Sequence, residues 1–202
     1  MARKIIIDTD PGVDDTMAIF FALRSPELDV IGLTTIFGNV DTDLATTNAL
    51  RLLEIAGRTD IPVAKGADHP LTGPFAGGVA FVHGDDGQGN VHLPPPAGRA
   101  VDGSAAAFII EQVMAAPGEI TLVPLGPLTN LALALRLEPR IANQVREVVL
   151  MGGNALCPGN ATPAAEANVH NDPEAADVVL GAAWPVTMVG LDVTHQVNLT
   201  PE

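Results

Sequence analysis

Short apolar runs rich in Ile and Val recur along the chain, separated by longer stretches in which apolar positions return every three or four residues. The runs at 4–9, 30–36, 61–64, 120–123, 148–151 and 186–189 have the length and β-branched content of strands. The intervening pattern predicts helices over 15–23, about 43–56, 104–115 and from Pro127 to about Leu137, with Ser104 as N-cap and Pro127 at a first helical position. Asp172-Pro173-Glu174 opens another helix, with a cap, a proline and a first-turn acid. Residues 66–103 carry many Gly and Pro and no clean period, so they read as loop, as do 152–171. A loop of the first length in a compact domain usually has a functional reason.

Strands alternating with helices predict βαβ units and an open, mainly parallel sheet with helices on both faces, an α/β fold. Ligands of such sheets bind beyond the carboxyl ends of the strands. The residues there are Asp8 and Asp10, Gly38-Asn39, Lys65-Gly66, Leu125-Gly126, Gly152-Gly153-Asn154 and Asp192. Acids, amides and glycines thus collect on one edge. The densest part is DTDPGVDD, which places Asp8, Asp10, Asp14 and Asp15 within eight residues after Ile5-Ile6-Ile7. Carboxylates so close repel one another unless something positive sits among them, and hard cations prefer carboxylate oxygens. The plainer reading gives Asp14 or Asp15 to a helix cap and Asp8 and Asp10 to the Pro-Gly turn. A cap needs one acid, however, and there are four.

Composition narrows the partners. The chain has 202 residues, 47% of them apolar and 17% charged, with no Tyr and one Trp, so a globular aliphatic core is expected. A formal charge of −14 argues against a nucleic-acid backbone or an anionic membrane as partner and is compatible with cations and small neutral ligands. A single cysteine, Cys157, excludes an internal disulfide and suits a reducing compartment. No run approaches transmembrane length, and MARKIII is too short for a signal peptide. A cytoplasmic location is expected.

Taken singly, the remaining candidates are weak. Gly38-Asn39 is an ordinary turn, VHGDDGQGN at 82–90 reads as a flexible loop in which His83 need have no role, and Asn160, Glu166 and Asn168 are polar loop residues. A carboxylate with amides can, however, supply acceptors and donors to sugar hydroxyls. Asp8 and Asp10 also have the spacing of haloacid-dehalogenase-type phosphatases, whose first aspartate is a nucleophile. That reading leaves Asp14-Asp15 unused and finds no later lysine and acid pair.

Together, DTDPGVDD, GNV at 38–40, HGDDGQGN at 83–90, PLGPLTNLA at 124–132, MGGN at 151–154, EANVHNDPEAA at 166–176 and LDVTHQ at 191–196 resemble, in order and over essentially the whole chain, the inosine–uridine preferring nucleoside hydrolase family. The resemblance implies a Rossmann-like fold in one domain, residues 1–202, and Ca²⁺-dependent hydrolysis of the N-glycosidic bond of a ribonucleoside to base and ribose. It assigns Ca²⁺ to Asp10, Asp15 and the main-chain carbonyl of Leu125, the catalytic base to Asp10, and ribose binding to Asp14, Asn39, Asn160, Glu166 and Asn168. Asp8 would orient the other acids. The family continues past LDVTHQ with a His-Asp pair that completes the metal shell and assists the leaving base, and His195 is not that histidine. The chain is therefore expected to be incomplete at its C-terminal end, nearly inactive alone, weaker for Ca²⁺ and prone to associate. A remnant that binds ribose or Ca²⁺ without turnover is the alternative; base preference and assembly, a homo-oligomer included, stay open.

Overall fold

The computed structural model describes residues 2–197. Six strands form one parallel sheet: β1 (Arg3–Thr9), β2 (Leu28–Thr35), β3 (Val63–Lys65), β4 (Ile120–Pro124), β5 (Glu147–Met151) and β6 (Val186–Val189), in the order β3-β2-β1-β4-β5-β6. Alternate residues of a strand face opposite sides of the sheet, and β1 shows the consequence. Ile5 and Ile7 pack into one apolar cluster with Ile19, Leu52 and Leu53, from α1 (Val13–Arg24) and α2 (Thr42–Ala56). Ile6 packs into a second cluster with Ile109 of α4 (Ala105–Ala115), Leu131 of α5 (Thr129–Leu137) and Val179 of α7 (Pro173–Leu180). Both faces are thus covered by helices, and β1 is buried from both sides, which is why its apolar run is unbroken.

Several boundaries differ from those expected. Helix α1 starts at Val13 because the Asp15 carboxylate accepts the Gly12 N–H at 3.1 Å and closes the first turn. Helix α5 starts at Thr129; Pro127 precedes it and packs against Gly38. Strand β3 covers Val63–Lys65, displaced toward the carboxyl edge from the expected 61–64. Residues 66–103 contain one helical turn, α3 (Ala80–His83), and Val101 bridges to Ala64. The loop is tied down by Leu71 N–H, which donates to buried Asp172 at 2.9 Å, and by Phe75 against Phe37 with ring centroids 5.1 Å apart. Within 152–171, Glu166 starts a short helix, α6 (Ala167–Asn171), and α8 (Leu191–Thr194) follows β6. The expected ending at 200–202 lies outside the described residues.

The chain winds from β1 outward to β3, then returns to the other side of β1 with β4. The connections diverge between β1 and β4, and open α/β sheets form their binding crevices at such switch points. Asp8, Asp10 and Leu125 lie at the carboxyl ends of these two strands, with the Leu125 N–H donating to the Asp8 carbonyl at 2.7 Å.

Candidate functional site

Three carboxylates are buried at this switch point: Asp8 and Asp10 are each 1% exposed and Asp15 is 5% exposed. Asp8 Oδ1 accepts from the Thr34 hydroxyl at 2.5 Å and from Asn130 Nδ2 at 2.8 Å, while its Oδ2 is buried without a hydrogen-bond partner. Asp10 Oδ2 accepts the Asn39 N–H at 2.5 Å, and its Oδ1 is likewise buried and unpartnered. Asp15 is better provided for, taking Thr9 Oγ1 at 2.6 Å on one oxygen and the Gly12 N–H and Asn39 Nδ2, at 3.1 and 3.0 Å, on the other. Asn39 therefore ties Asp10 to Asp15. No lysine or arginine among the described residues bonds to any of the three.

Burial raises all three acids. Loss of hydration pushes Asp8 up to about 7 against the pull of Thr34 and Asn130. It pushes Asp15 up to about 6, helped by the charge of Asp14. Asp10 is raised well above the carboxylate range by burial first and by Asp15 second. Space is as tight as charge. A Cβ on Gly38 would lie 2.0 Å from Asp10 Oδ2, and one on Gly126 would lie 2.5 Å from Asp10 Oδ1. The two glycines expected at the ends of β2 and β4 thus close around the Asp10 carboxylate, and no larger residue fits there.

An open cleft of about 590 Å³ adjoins the cluster, lined by Asp14, Asp15, Leu125, Met151 and Asn160 together with apolar residues of β6 and α8. Asp14 stands at its rim, its side chain 81% exposed and its Oδ1 3.8 Å from Nδ1 of buried His83. Asn160 Oδ1 accepts the Ala167 N–H at 2.8 Å. Glu166 accepts the Gly153, Asn168 and Val169 N–H groups, at 2.8, 2.9 and 3.1 Å, so both its oxygens are engaged by main chain as the cap of α6. Asn168 Nδ2 donates to the Leu125 and Met151 carbonyls at 2.7 and 3.1 Å, tying α6 to the ends of β4 and β5. The fold therefore joins Asp8, Asp10, Asp15 and Asn39 in one network and ranges Asp14, Leu125 and Asn160 along the adjoining cleft. Glu166 and Asn168 reach the cleft through the backbone they hold.

Residues not singled out from the sequence turn out to build the cluster. Thr9 and Thr34 hold Asp15 and Asp8. Asn130, 1% exposed, donates to Asp8 and to the Thr35 carbonyl and accepts the Ala67 N–H at 3.0 Å. Its signal was an amide at the start of an otherwise apolar helix, in PLTNLA. On the spacing of Asp8 and Asp10, the phosphatase reading needs Asp8 as an accessible nucleophile; instead Asp8 is buried and held by two donors.

Metal chemistry can be tested against this donor set. Among the described residues no group of three or more His, Cys, Asp or Glu is arranged to hold an ion. Two carboxylates, Asp10 and Asp15, are bonded to the same residue, Asn39; Asp10 keeps an unpartnered buried oxygen, and Asp15 lines one cleft with Leu125, whose carbonyl accepts one hydrogen bond and keeps a second lone pair. A hard cation takes six to eight oxygens and accepts part of its shell from water or ligand, so a partial all-oxygen set fits Ca²⁺.

An open parallel α/β sheet with an acidic site at its switch point is the class of protein that these observations define. The chain belongs to the inosine-uridine preferring nucleoside hydrolase family, whose model matches residues 5–202. It is 57% identical over 201 residues to a probable uridine nucleosidase 2 of Arabidopsis thaliana, covering 99% of this chain and 62% of that protein. Among solved structures, a plant nucleoside hydrolase, the PpNRh1 enzyme, superposes with a TM-score of 0.96 at 52% identity, over 99% of this chain and 63% of the other. A purine-preferring ribonucleoside hydrolase from Gardnerella vaginalis superposes at 0.95 with 43% identity, over 98% and 64%. The chain thus spans somewhat over three fifths of the length of these relatives.

Proposed function

We propose that this chain carries the metal and sugar half of a Ca²⁺-dependent ribonucleoside hydrolase, which splits the N-glycosidic bond to give free base and ribose. The observation that supports this best is the Asp10 carboxylate. It is buried, closed in by Gly38 and Gly126, and left with an unpartnered oxygen next to Asp15. An isolated buried anion is costly, and a cation between two such anions offsets that cost. Asp10, Asp15 and the Leu125 carbonyl would hold the ion, which when bound supplies the positive charge that acidifies a neighbouring water.

In this reading Asp10 removes the proton from the attacking water, on the bare oxygen that the fold leaves it. The sugar develops positive charge as the bond to the base breaks, and the surrounding carboxylates stabilise that charge. Asp14 and Asn160, on the cleft, and Asn39, beside Asp15, supply acceptors and donors for ribose hydroxyls. Glu166 and Asn168 shape the same wall, Asn168 through the Leu125 carbonyl it contacts. A phosphorylated sugar would be repelled by so many acids.

The test is release of free base from uridine and inosine, by the 202-residue chain and by a version extended with the remaining two fifths of a relative. Each is compared with its Asp10→Asn variant and with 2′-deoxyuridine as substrate. Hydrolysis by the extended protein that is lost with Asp10→Asn and is weak on the deoxynucleoside supports the reading. Equal kcat/KM for uridine and 2′-deoxyuridine contradicts the sugar assignment, because a site that pairs a hydroxyl rejects the analogue lacking it. Ca²⁺ binding without hydrolysis in the extended protein would favour the remnant.

A further inference from the structure

The turn between Asp10 and Asp15 is held from outside by two amides to which the proposed chemistry gives no part. The Pro11 carbonyl accepts from Gln88 Nε2 at 3.1 Å and from Asn48 Nδ2 at 3.3 Å, and the Gly12 carbonyl accepts from Gln88 Nε2 at 3.3 Å. Gln88 Oε1 lies 3.0 Å from the Thr16 hydroxyl, one turn into α1. Asn48 is fully buried in α2; its Nδ2 also donates to the Asp86 carbonyl at 2.9 Å, and its Oδ1 accepts from Arg51 at 3.1 Å. Guanidinium groups only donate and carbonyls only accept, so both amides can point only one way. The Asp86 carboxylate in turn accepts the Gln88, Asn90 and His92 N–H groups and folds residues 86–92 into a tight strap. At Gly87 (φ 73°) a Cβ would stand 2.8 Å from Val40 and 3.0 Å from Asn48 Nδ2, so the strap lies directly on α2.

We propose that Gln88 and Asn48 are positioning residues of this site: an amide clasp that fixes the Pro11-Gly12 turn and, through it, the separation of the Asp10 and Asp15 carboxylates. The turn needs external support because the two buried acids it carries repel each other. Inside the cluster, among the described residues, one residue links them: Asn39, whose main-chain N–H donates to Asp10 and whose side-chain amide donates to Asp15. Neither amide lines the cleft, and both hold the turn through its carbonyls, so the clasp opposes the repulsion through the backbone. Sites of this kind depend on outer groups that lock the inner ones, and misplacement of a reacting group by about 1 Å can cost about 10²-fold in rate. The kinetic and Ca²⁺ parts of this inference rest on the hydrolase reading; the exchange at the turn does not.

The test uses Gln88→Leu, Gln88→Glu and Asn48→Leu. Gln88→Glu keeps the size of the side chain but faces two carbonyls with an acceptor. Amide hydrogen exchange at residues 12–16, Ca²⁺ titration by calorimetry, and kcat and KM for uridine are measured on each. The clasp predicts exchange at 12–16 faster by about tenfold or more with β1 and β4 unchanged, weaker Ca²⁺ binding, and kcat lowered by about 10- to 100-fold with KM within about threefold. Gln88→Glu should be at least as impaired as Gln88→Leu. If Gln88 only fills space, Gln88→Glu behaves as wild type, which overturns the proposal, as does unchanged exchange at the turn in Gln88→Leu. Should Asn48→Leu fail to fold, the half-buried Gln88 decides. Kinetics are read in the chain extended to full family length; an extended wild type inactive on nucleosides would count against the hydrolase reading alone, and exchange at the turn would still decide the clasp.

Discussion

Strand β1 carries opposite charges at its two ends, and the fold treats them in opposite ways. At the amino end Arg3 pairs with Glu147 and Lys4 with Glu119, each at 2.8 Å and each exposed to solvent. At the carboxyl end Asp8, Asp10 and Asp15 are buried with no basic partner among the described residues. The first arrangement is cheap and nearly idle, since exposed pairs are worth about 0–1 kcal/mol. The second is costly. Ionising Asp8 in the fold, with its pKa near 7 rather than 3.8, costs on the order of 4 kcal/mol more than in the unfolded chain. A sheet that can pair charges on one edge and leaves them bare on the other has placed its site at the bare edge. This is the usual relation between perturbed acids and function.

The comparison is broken most severely at Asp10. In a chain extended to full family length, Asp10→Asn should lower kcat on uridine by about 10²–10⁴-fold, about 3–5 kcal/mol in the barrier, while the metal-free protein melts no lower than wild type. An Asn variant within a few-fold of wild-type kcat would remove the base from Asp10.

Supplying the missing positive charge comes next. Ca²⁺ at a hundredfold excess over its dissociation constant should stabilise the folded chain by about 2.7 kcal/mol relative to EDTA, read as a rise in melting temperature. The rise should shrink in Asp15→Asn. Identical melting in Ca²⁺ and EDTA would show that the cluster is not a cation site.

Asp8 sharpens the contrast at smaller scale. Asp8→Asn keeps an acceptor for Thr34 and Asn130 and removes a bare buried charge, so the metal-free protein should gain about 1–3 kcal/mol in denaturant unfolding. A loss of that size would mean the Asp8 carboxylate is itself compensated in the fold.

The amino end should respond least. Lys4 holds Glu119 below its ordinary range through a hydrogen bond and their opposite charges. The stabilisation is therefore present above the usual carboxylate pKa and is lost as pH falls through the lowered one. Glu119→Gln should change stability only slightly at neutral pH and by nothing measurable at strongly acid pH, as denaturant unfolding would show. A larger change would mean that the two ends differ less than their burial indicates.

Much of this was readable in the chain. The alternation of strands and helices gave the parallel sheet, and the glycines and acids after each strand marked the edge at which Asp8, Asp10 and Asp15 are buried. The strap was harder to see. HGDDGQGN has the composition of a mobile loop, yet Asp86 folds it and Gln88 fastens it to α1. Asn130 and Asn48 were equally hidden, because an amide within a helical stretch has no period that separates a buried clasp from a solvated surface. Glu166 was legible as polar but not as a cap, since the N–H groups it holds come from two segments.

What the sequence determined by itself is local and periodic: which runs are strands, which stretches are helices, and that four carboxylates fall at one strand end, within eight residues of chain. Tertiary structure alone decided which of those acids lost their water. Burial of Asp8, Asp10 and Asp15 requires β2, β4 and α5 to close over them, while Asp14, one residue from Asp15, remains in solvent because it points off the exposed side of α1. Desolvation is set by everything that packs around a group, from every part of the chain, and for that reason neighbouring, chemically identical residues end as different reagents.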